Sequence, residues 1–233
     1  MSERLIVARG LEKRFGPVRA LRALDLEVRA GSTVAVIGPN GAGKSTLLRL
    51  LSGLTRPSGG TLQVGRDGGD RRSRRGQVGL IAHASFLYPT LTARENLILA
   101  ARLYGVANPA EQADALLEEQ ELTGVAERRA GGFSRGMAQR LSIARGLVHD
   151  PEIVLLDEPF SGLDPRAASR LAERLGALRT APRTVVLVTH DLARAAELAD
   201  ETLLLVRGES VALPSQAGRD AAALERHYRE AVE

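Results

Sequence analysis

The residues best equipped for chemistry gather first at positions 38–46. There Gly38-Pro39-Asn40-Gly41-Ala42-Gly43-Lys44-Ser45-Thr46 fits G-x-x-x-x-G-K-[ST] without a mismatch. With the chain's own composition, chance supplies on the order of 0.002 such matches, so the motif is specific. An apolar run, Thr33–Ile37, precedes it and an amphipathic pattern, Lys44–Leu51, follows. In a strand–loop–helix setting, glycines let successive backbone N–H groups converge on phosphate oxygens. The helix N-terminus adds about half a positive charge facing the same anion. Lys44 then holds the β- and γ-phosphates, and the Ser45 hydroxyl ligates Mg²⁺. The segment reads as a nucleoside triphosphate site.

A second group stands at Ile153-Val154-Leu155-Leu156-Asp157-Glu158-Pro159, four apolar residues ending in adjacent carboxylates. A buried strand of a parallel sheet delivers such acids at its C-terminal end, where ligands collect. Successive side chains leave a strand on opposite faces, so the two acids need not share a role. Asp157 is expected to hold Mg²⁺ through water, and Glu158 to act as general base on the attacking water. His190 follows the run TVVLVT in the same way and can reach the γ-phosphate or that water. Of the other histidines, His149 in LVHDP reads as a helix C-terminal residue stabilised by the dipole there, and His227 as exposed in a polar tail.

The elements that must position these groups are visible in the apolar patterning. Short Val/Ile/Leu-rich clusters fall at 5–8, 24–28, Thr33–Ile37, Val78–Ile81, 153–156, Thr184–Val188 and 202–206. Helical patterns fall at Lys44–Leu51, Ala93–Tyr104, 109–120, 135–148, Pro165–Leu178 and 191–198. Strands alternating with helices imply an α/β fold with a mostly parallel sheet. The stretch from about 84 to 148 holds three helical patterns and no convincing strand, so it reads as an inserted helical subdomain. The tail after Gly208 reads as polar with one short helix.

Composition narrows the function further. The chain has 233 residues, 44% hydrophobic and 26% charged, which is ordinary globular usage and excludes disorder, collagen and coiled coil. It has no cysteine, so neither a disulfide framework nor a thiolate metal site is possible. No apolar run approaches the roughly 18 residues of a spanning helix, and MSERLIVARG lacks the apolar core of a signal peptide. The net charge is +4, and Lys13 and Lys44 are the only lysines among 32 basic residues. At 3% aromatic, the chain has few rings for base stacking, so no nucleic-acid partner is expected. The segment 66–76, RDGGDRRSRRG, reads as a solvated hairpin loop, with lipid headgroup contact as the alternative.

Taken in order, GPNGAGKST, FSRGMAQR, IVLLDEP, SGLD and VTH resemble the ATP-binding subunit of an ABC transporter over nearly the whole chain. The resemblance implies a P-loop NTPase core (about 1–83 and 149–208) with a mostly parallel sheet and an antiparallel β subdomain near the N-terminus. It also implies a helical subdomain at about 84–148 and a tail at 209–233. The family signature L-S-G-G-Q stands here as Phe133-Ser134-Arg135-Gly136-Met137. Ser134 and Gly136, the positions that meet a γ-phosphate, are kept, whereas Arg135 and Met137 depart. Asp164 in Ser161-Gly162-Leu163-Asp164 matches the loop joining two sites across a dimer. Phe15 falls where the family stacks an aromatic on adenine, the alternative being a core phenylalanine. His83 takes the place of a glutamine that touches Mg²⁺ and senses the membrane subunit; its alternative is a structural loop residue.

The same resemblance implies ATP and Mg²⁺ as ligands, and a second copy completing each ATP site with its signature. It implies integral membrane subunits reached through the segment 84–104, and a cytoplasmic position on the inner face of the membrane. HASFLYPTLTARENL, ARLYGV and FSRGMAQR look most like the haem-exporter ATPase of cytochrome c maturation. Exporters of drugs, lipids or polysaccharides are the alternative cargo reading. A soluble ABC protein would need paired cassettes or a long coiled coil, and a GTPase would need N-K-x-D, which is absent. A regulatory module that binds ATP without hydrolysis is opposed by Glu158 and His190.

Overall fold

All five residues of β3 (Thr33–Ile37) are buried, as are all five of β7 (Thr184–Val188) and the first four of β6 (Ile153–Asp157). Strands apolar on both sides need cover on both faces, which a parallel sheet between helices supplies. The computed structural model describes residues 3–66, 73–82, 86–178, 183–213, 218 and 220–232. It sets these strands at the centre of a six-stranded sheet with β5 (Val78–Ile81), β8 (Glu201–Val206) and β9 (Glu209–Val211). The order is β5-β6-β7-β3-β8-β9, parallel from β5 to β8, with β9 closing the edge antiparallel. The expected α/β fold with a mostly parallel sheet is what the chain adopts.

A second sheet, order β2-β1-β4, is antiparallel and built from β1 (Arg4–Phe15), β2 (Val18–Arg29) and β4 (Gly59–Val64). Leu21, Leu24, Leu26 and Val28 of β2 are buried while Arg22 and Asp25 between them face out. This half-solvated alternation made the strands read shorter, as 5–8 and 24–28, than their twelve residues each. β4, Gly-Gly-Thr-Leu-Gln-Val, has too few apolar residues to register by patterning and forms by pairing with β1.

Between residues 86 and 148 lie α3 (Ala93–Tyr104), α4 (Pro109–Glu119), two 3-10 turns (Thr123–Val125 and Ala130–Gly132) and α5 (Arg135–Leu147). Thr92 and Glu95 form a reciprocal capping box at the start of α3. Buried Asn96 ties the preceding turn, donating to the Tyr88 and Thr92 carbonyls at 3.0 and 2.8 Å. Leu97, Leu117, Leu141 and Leu147 share one apolar cluster with Val154, Leu156 and Leu187 of the sheet. The helical segment is therefore cored jointly with the sheet rather than by itself. The opposite sheet face packs against α1 (Lys44–Leu51) and the antiparallel strands. Beyond β9, α8 (Ala221–Val232) seats Leu224 against Ala35, Ile37 and Leu204, beside α7 (Leu192–Leu198). Two further helices are α2 (Ser73–Gln77) and α6 (Pro165–Leu178).

Two histidine expectations are corrected. His227 is half-buried, with Nδ1 2.8 Å from the Ala223 carbonyl one turn earlier. His149 lies beyond the end of α5, stacked on Tyr104 with ring centroids 3.7 Å apart, and its Nε2 is 3.3 Å from the Val78 carbonyl. Burial, not the helix dipole, governs it and pushes its pKa from 6.5 down to about 4, against weaker opposite effects of Val78 and Asp150. The unfolded chain takes up this proton near 6.5, and the folded chain resists it to about 4, so stability falls as pH drops through that window. Denaturant melts should show this loss in the native chain and a smaller one in His149→Phe, which keeps a ring on Tyr104. Equal losses would mean that His149 is not the group responsible.

Candidate nucleotide site

The cradle begins where β3 ends. Gly38 and Ala42 are buried, Pro39 and Thr46 half-buried, and Asn40, Gly41 and Ser45 open to solvent. Gly43 is the N-cap of α1 at φ +108, a left-handed conformation that favours glycine. A Cβ there would stand 2.5 Å from the Ala20 carbonyl oxygen and 2.9 Å from Leu21 Cδ2, because β2 presses against the loop. On the other side, the Gly208 N–H donates to the Ala42 carbonyl at 3.0 Å. No side chain caps α1 and no acid stands in its first turn, so the positive end of the helix is left uncompensated.

Lys44 is only 8% exposed. Its Nζ donates to the Gly38 and Pro39 carbonyls at 2.6 and 3.0 Å, which folds the ammonium back over the loop. Burial pushes its pKa down, and the charges of Glu158 and Asp157 push it back up.

β6 delivers Asp157 opposite Val188 of β7, with Asp157 Oδ1 3.5 Å from Ser45 Oγ. A hydroxyl and a carboxylate beside a phosphate cradle suit Mg²⁺, which takes few protein oxygens and fills its octahedron with phosphates and water. Among the described residues no cluster of three or more His, Cys, Asp or Glu could hold a metal. Glu158 then turns away from the strand at φ +52 while its N–H donates to the Val188 carbonyl at 2.9 Å. His190 Nδ1 lies 2.7 Å from Glu158 Oε2, and the His190 N–H donates to the same oxygen at 3.3 Å. The Glu158 side chain is 20% exposed and that of His190 70%, so the imidazole covers the acid from the solvent side.

Ser134 is the N-cap of α5, its hydroxyl accepting the Met137 N–H at 3.3 Å, and no acid stands in the first turn. Ser134 and Gly136 line a cavity of about 400 Å³ together with Gly162 and Asp164. None of residues 38–46 lines it, so within one chain the signature and the cradle stand apart. The Asp164 carboxylate accepts the Ala167 N–H at 2.9 Å, which caps α6 and lowers its pKa. Phe15 is 47% exposed at the end of β1, not a core residue, with Lys13 Nζ 4.9 Å from its ring centroid. That cation covers one ring face. His83 lies outside the described residues.

Patterning also missed several residues around these groups. Arg140 donates to the Gln120 carbonyl at 2.8 Å and Arg174 pairs with Glu121 at 2.8 Å, fixing one wall of the signature cavity. Phe86, Tyr88, Leu103 and Tyr104 are exposed around a second hollow of about 330 Å³, with Arg145 over the Phe86 ring. The only sequence signal for that hollow is the aromatic cluster in SFLYP. In a titration with a fluorescent nucleoside triphosphate, Lys44→Ala should weaken binding by about ten- to a hundredfold, the loss of a charge-assisted contact. Unchanged affinity would show that the phosphates do not lie on this loop.

The comparisons with known proteins agree with this geometry. The family model described as ABC transporter matches residues 21–161. The Nod factor export ATP-binding protein I of Burkholderia lata is 38% identical over 208 residues, 88% of this chain and 68% of that protein. A solved ATP-binding subunit of an ABC transporter superposes with a TM-score of 0.85 at 32% identity, covering 97% of this chain and 98% of the other. A dimeric post-hydrolysis structure of the ATP-binding cassette MJ0796, bound to ADP and Pi, gives 0.80 at 27% identity, covering 91% and 98%. The chain belongs to the ABC transporter family and is one of its ATP-hydrolysing, ATP-binding subunits.

Proposed function

We propose that this chain powers an exporter by closing on ATP as a pair of copies, each lending its signature to the other's cradle. The observation that carries the reading is the convergence of Lys44, Ser45–Asp157 and Glu158–His190 at the C-terminal ends of β3, β6 and β7. The backbone of 38–46 and Lys44 take the β- and γ-phosphates, and Phe15 offers its free face to adenine. Ser45 and Asp157 hold Mg²⁺, which supplies charge neutralisation at the phosphate oxygens when bound. Both hydrogen bonds from His190 land on Glu158 Oε2, leaving Oε1 to take a proton from the attacking water.

The separation of cradle and signature within one chain favours a composite site. Ser134 and Gly136 sit at a second positive helix end, where the Ser134 hydroxyl takes one N–H and no acid offsets the remaining charge, suited to the γ-phosphate held by another copy. The dimer of the MJ0796 cassette supports two copies as the working unit. Among the described residues no helix is long and apolar enough to cross a membrane, and this reading gives the cargo path to membrane-embedded partner subunits. The exposed aromatic hollow at Phe86, Tyr88 and Tyr104 is suited to dock such a subunit, placing the chain peripherally on the inner membrane face. Export as the direction of transport is supported by the Nod factor export name of the Burkholderia relative. That name gives no support to haem as cargo, and favours the wider exporter reading over it.

Glu158→Gln should keep ATP affinity within about twofold and lower hydrolysis by about a hundredfold or more, because the acid acts on water rather than on binding. On gel filtration this variant should shift to a dimer when ATP and Mg²⁺ are added. A monomer indifferent to ATP would contradict the paired mechanism.

A further inference from the structure

Arg135 stands at the first helical position of α5, where a cation opposes the helix dipole. No acid in that first turn offsets the charge. Its guanidinium lies against Gly162, with Nη1, Cζ and Nε filling the space that a Cβ there would require. Gly162 is at φ +68, so glycine suits both the backbone and the close approach of the guanidinium. Next to it the Ser161 N–H donates to the Glu158 carbonyl at 3.1 Å, and the Leu163 N–H donates to the Phe160 carbonyl at 3.2 Å. Arg135 therefore touches a loop that is one peptide and one hydrogen bond away from the acid that activates water.

We propose that Arg135 is a positioning residue that clasps the 161–164 loop to the signature, so that Ser134, Asp164 and Glu158 move as one rigid unit. This rests on the paired mechanism above and names a residue that acts on it through Gly162. The clasp needs the planar guanidinium, because a lysine ammonium is a point charge on a flexible stem and cannot lie along a peptide. Two neighbours stiffen the wall behind it: Arg140 on the Gln120 carbonyl and Arg174 on Glu121. The Asp164 carboxylate is committed to the Ala167 N–H, which leaves the guanidinium on the glycine rather than drawn to an acid. Arg135 and Gly162 are both exposed in the single chain, and closure of two copies over Ser134 and Asp164 would desolvate them and tighten the contact.

Steady-state hydrolysis by the full chain tests this, alongside hydrogen exchange of the nucleotide-free protein. Arg135→Ala, which preserves helix propensity, should lower kcat about tenfold with KM within about twofold, the pattern of a misplaced catalytic group. Arg135→Lys should not rescue it. The Ser161 and Leu163 amides should exchange faster in Arg135→Ala, while those of β6 stay unchanged. Gly162→Ala should reproduce both effects in the native background and have a clearly smaller effect in Arg135→Ala, the backbone strain being common to both backgrounds so that the difference between them reports the contact. Native kcat and exchange in Arg135→Ala, or additive effects of the two substitutions, would overturn the clasp. Hydrolysis independent of protein concentration would instead sink the paired mechanism, and the Ser161 and Leu163 exchange rates would still decide whether the clasp exists.

Discussion

The uncompensated positive end of α1 is the constraint around which the rest of this molecule is arranged. Helix N-termini in proteins are ordinarily capped by a side chain or met by an acid. Here Gly43 supplies neither, and the nearest cation, Lys44, is buried and turned back onto two loop carbonyls. Two strands press the loop into this state: Ala20 of β2 against Gly43, and the β8–β9 turn through Gly208 onto Ala42. A helix end left without a cap or an acid in this way favours an anion such as a phosphate group.

The acids answer to the same constraint. Asp157 and Glu158 leave β6 one after the other, yet one meets Ser45 and the other meets His190, because the backbone at Glu158 enters the left-handed region. That turn separates the carboxylate proposed to hold the ion from the one proposed to take a proton within two residues. A second exposed positive helix end, at Ser134, stands on a different cavity that contains no cradle residue. Two incomplete halves on one chain are economical only if another copy joins them, as ABC-type ATPases do when they pair.

Much of this was legible in the residues. β3, β6 and β7 could be read with their bounds nearly correct, because strands buried on both faces leave unbroken apolar runs. The cradle and the two acids carried enough residue-type information to be placed without coordinates. The antiparallel sheet was read only in part. Half-solvated β1 and β2 interrupt their apolar residues with arginine and glutamate, and β4 forms by pairing rather than by composition. His149 was misread because its position near a helix end says nothing of Tyr104, which is distant in sequence and stacks upon it. The same holds for Arg135 and Gly162: Arg135 stood out as a departure from the signature, but its contact with Gly162 is visible only in the fold.

The most direct test of two copies sharing each site is a mixing experiment with two inactive variants. Lys44→Ala spoils a cradle and leaves its signature intact, while Ser134→Arg spoils a signature and leaves its cradle intact. In a symmetric pair, a mixed dimer carries one complete site, so equal amounts should recover about a quarter of the native ATPase rate. A mixture as inactive as either variant alone would contradict the shared site at the centre of this mechanism.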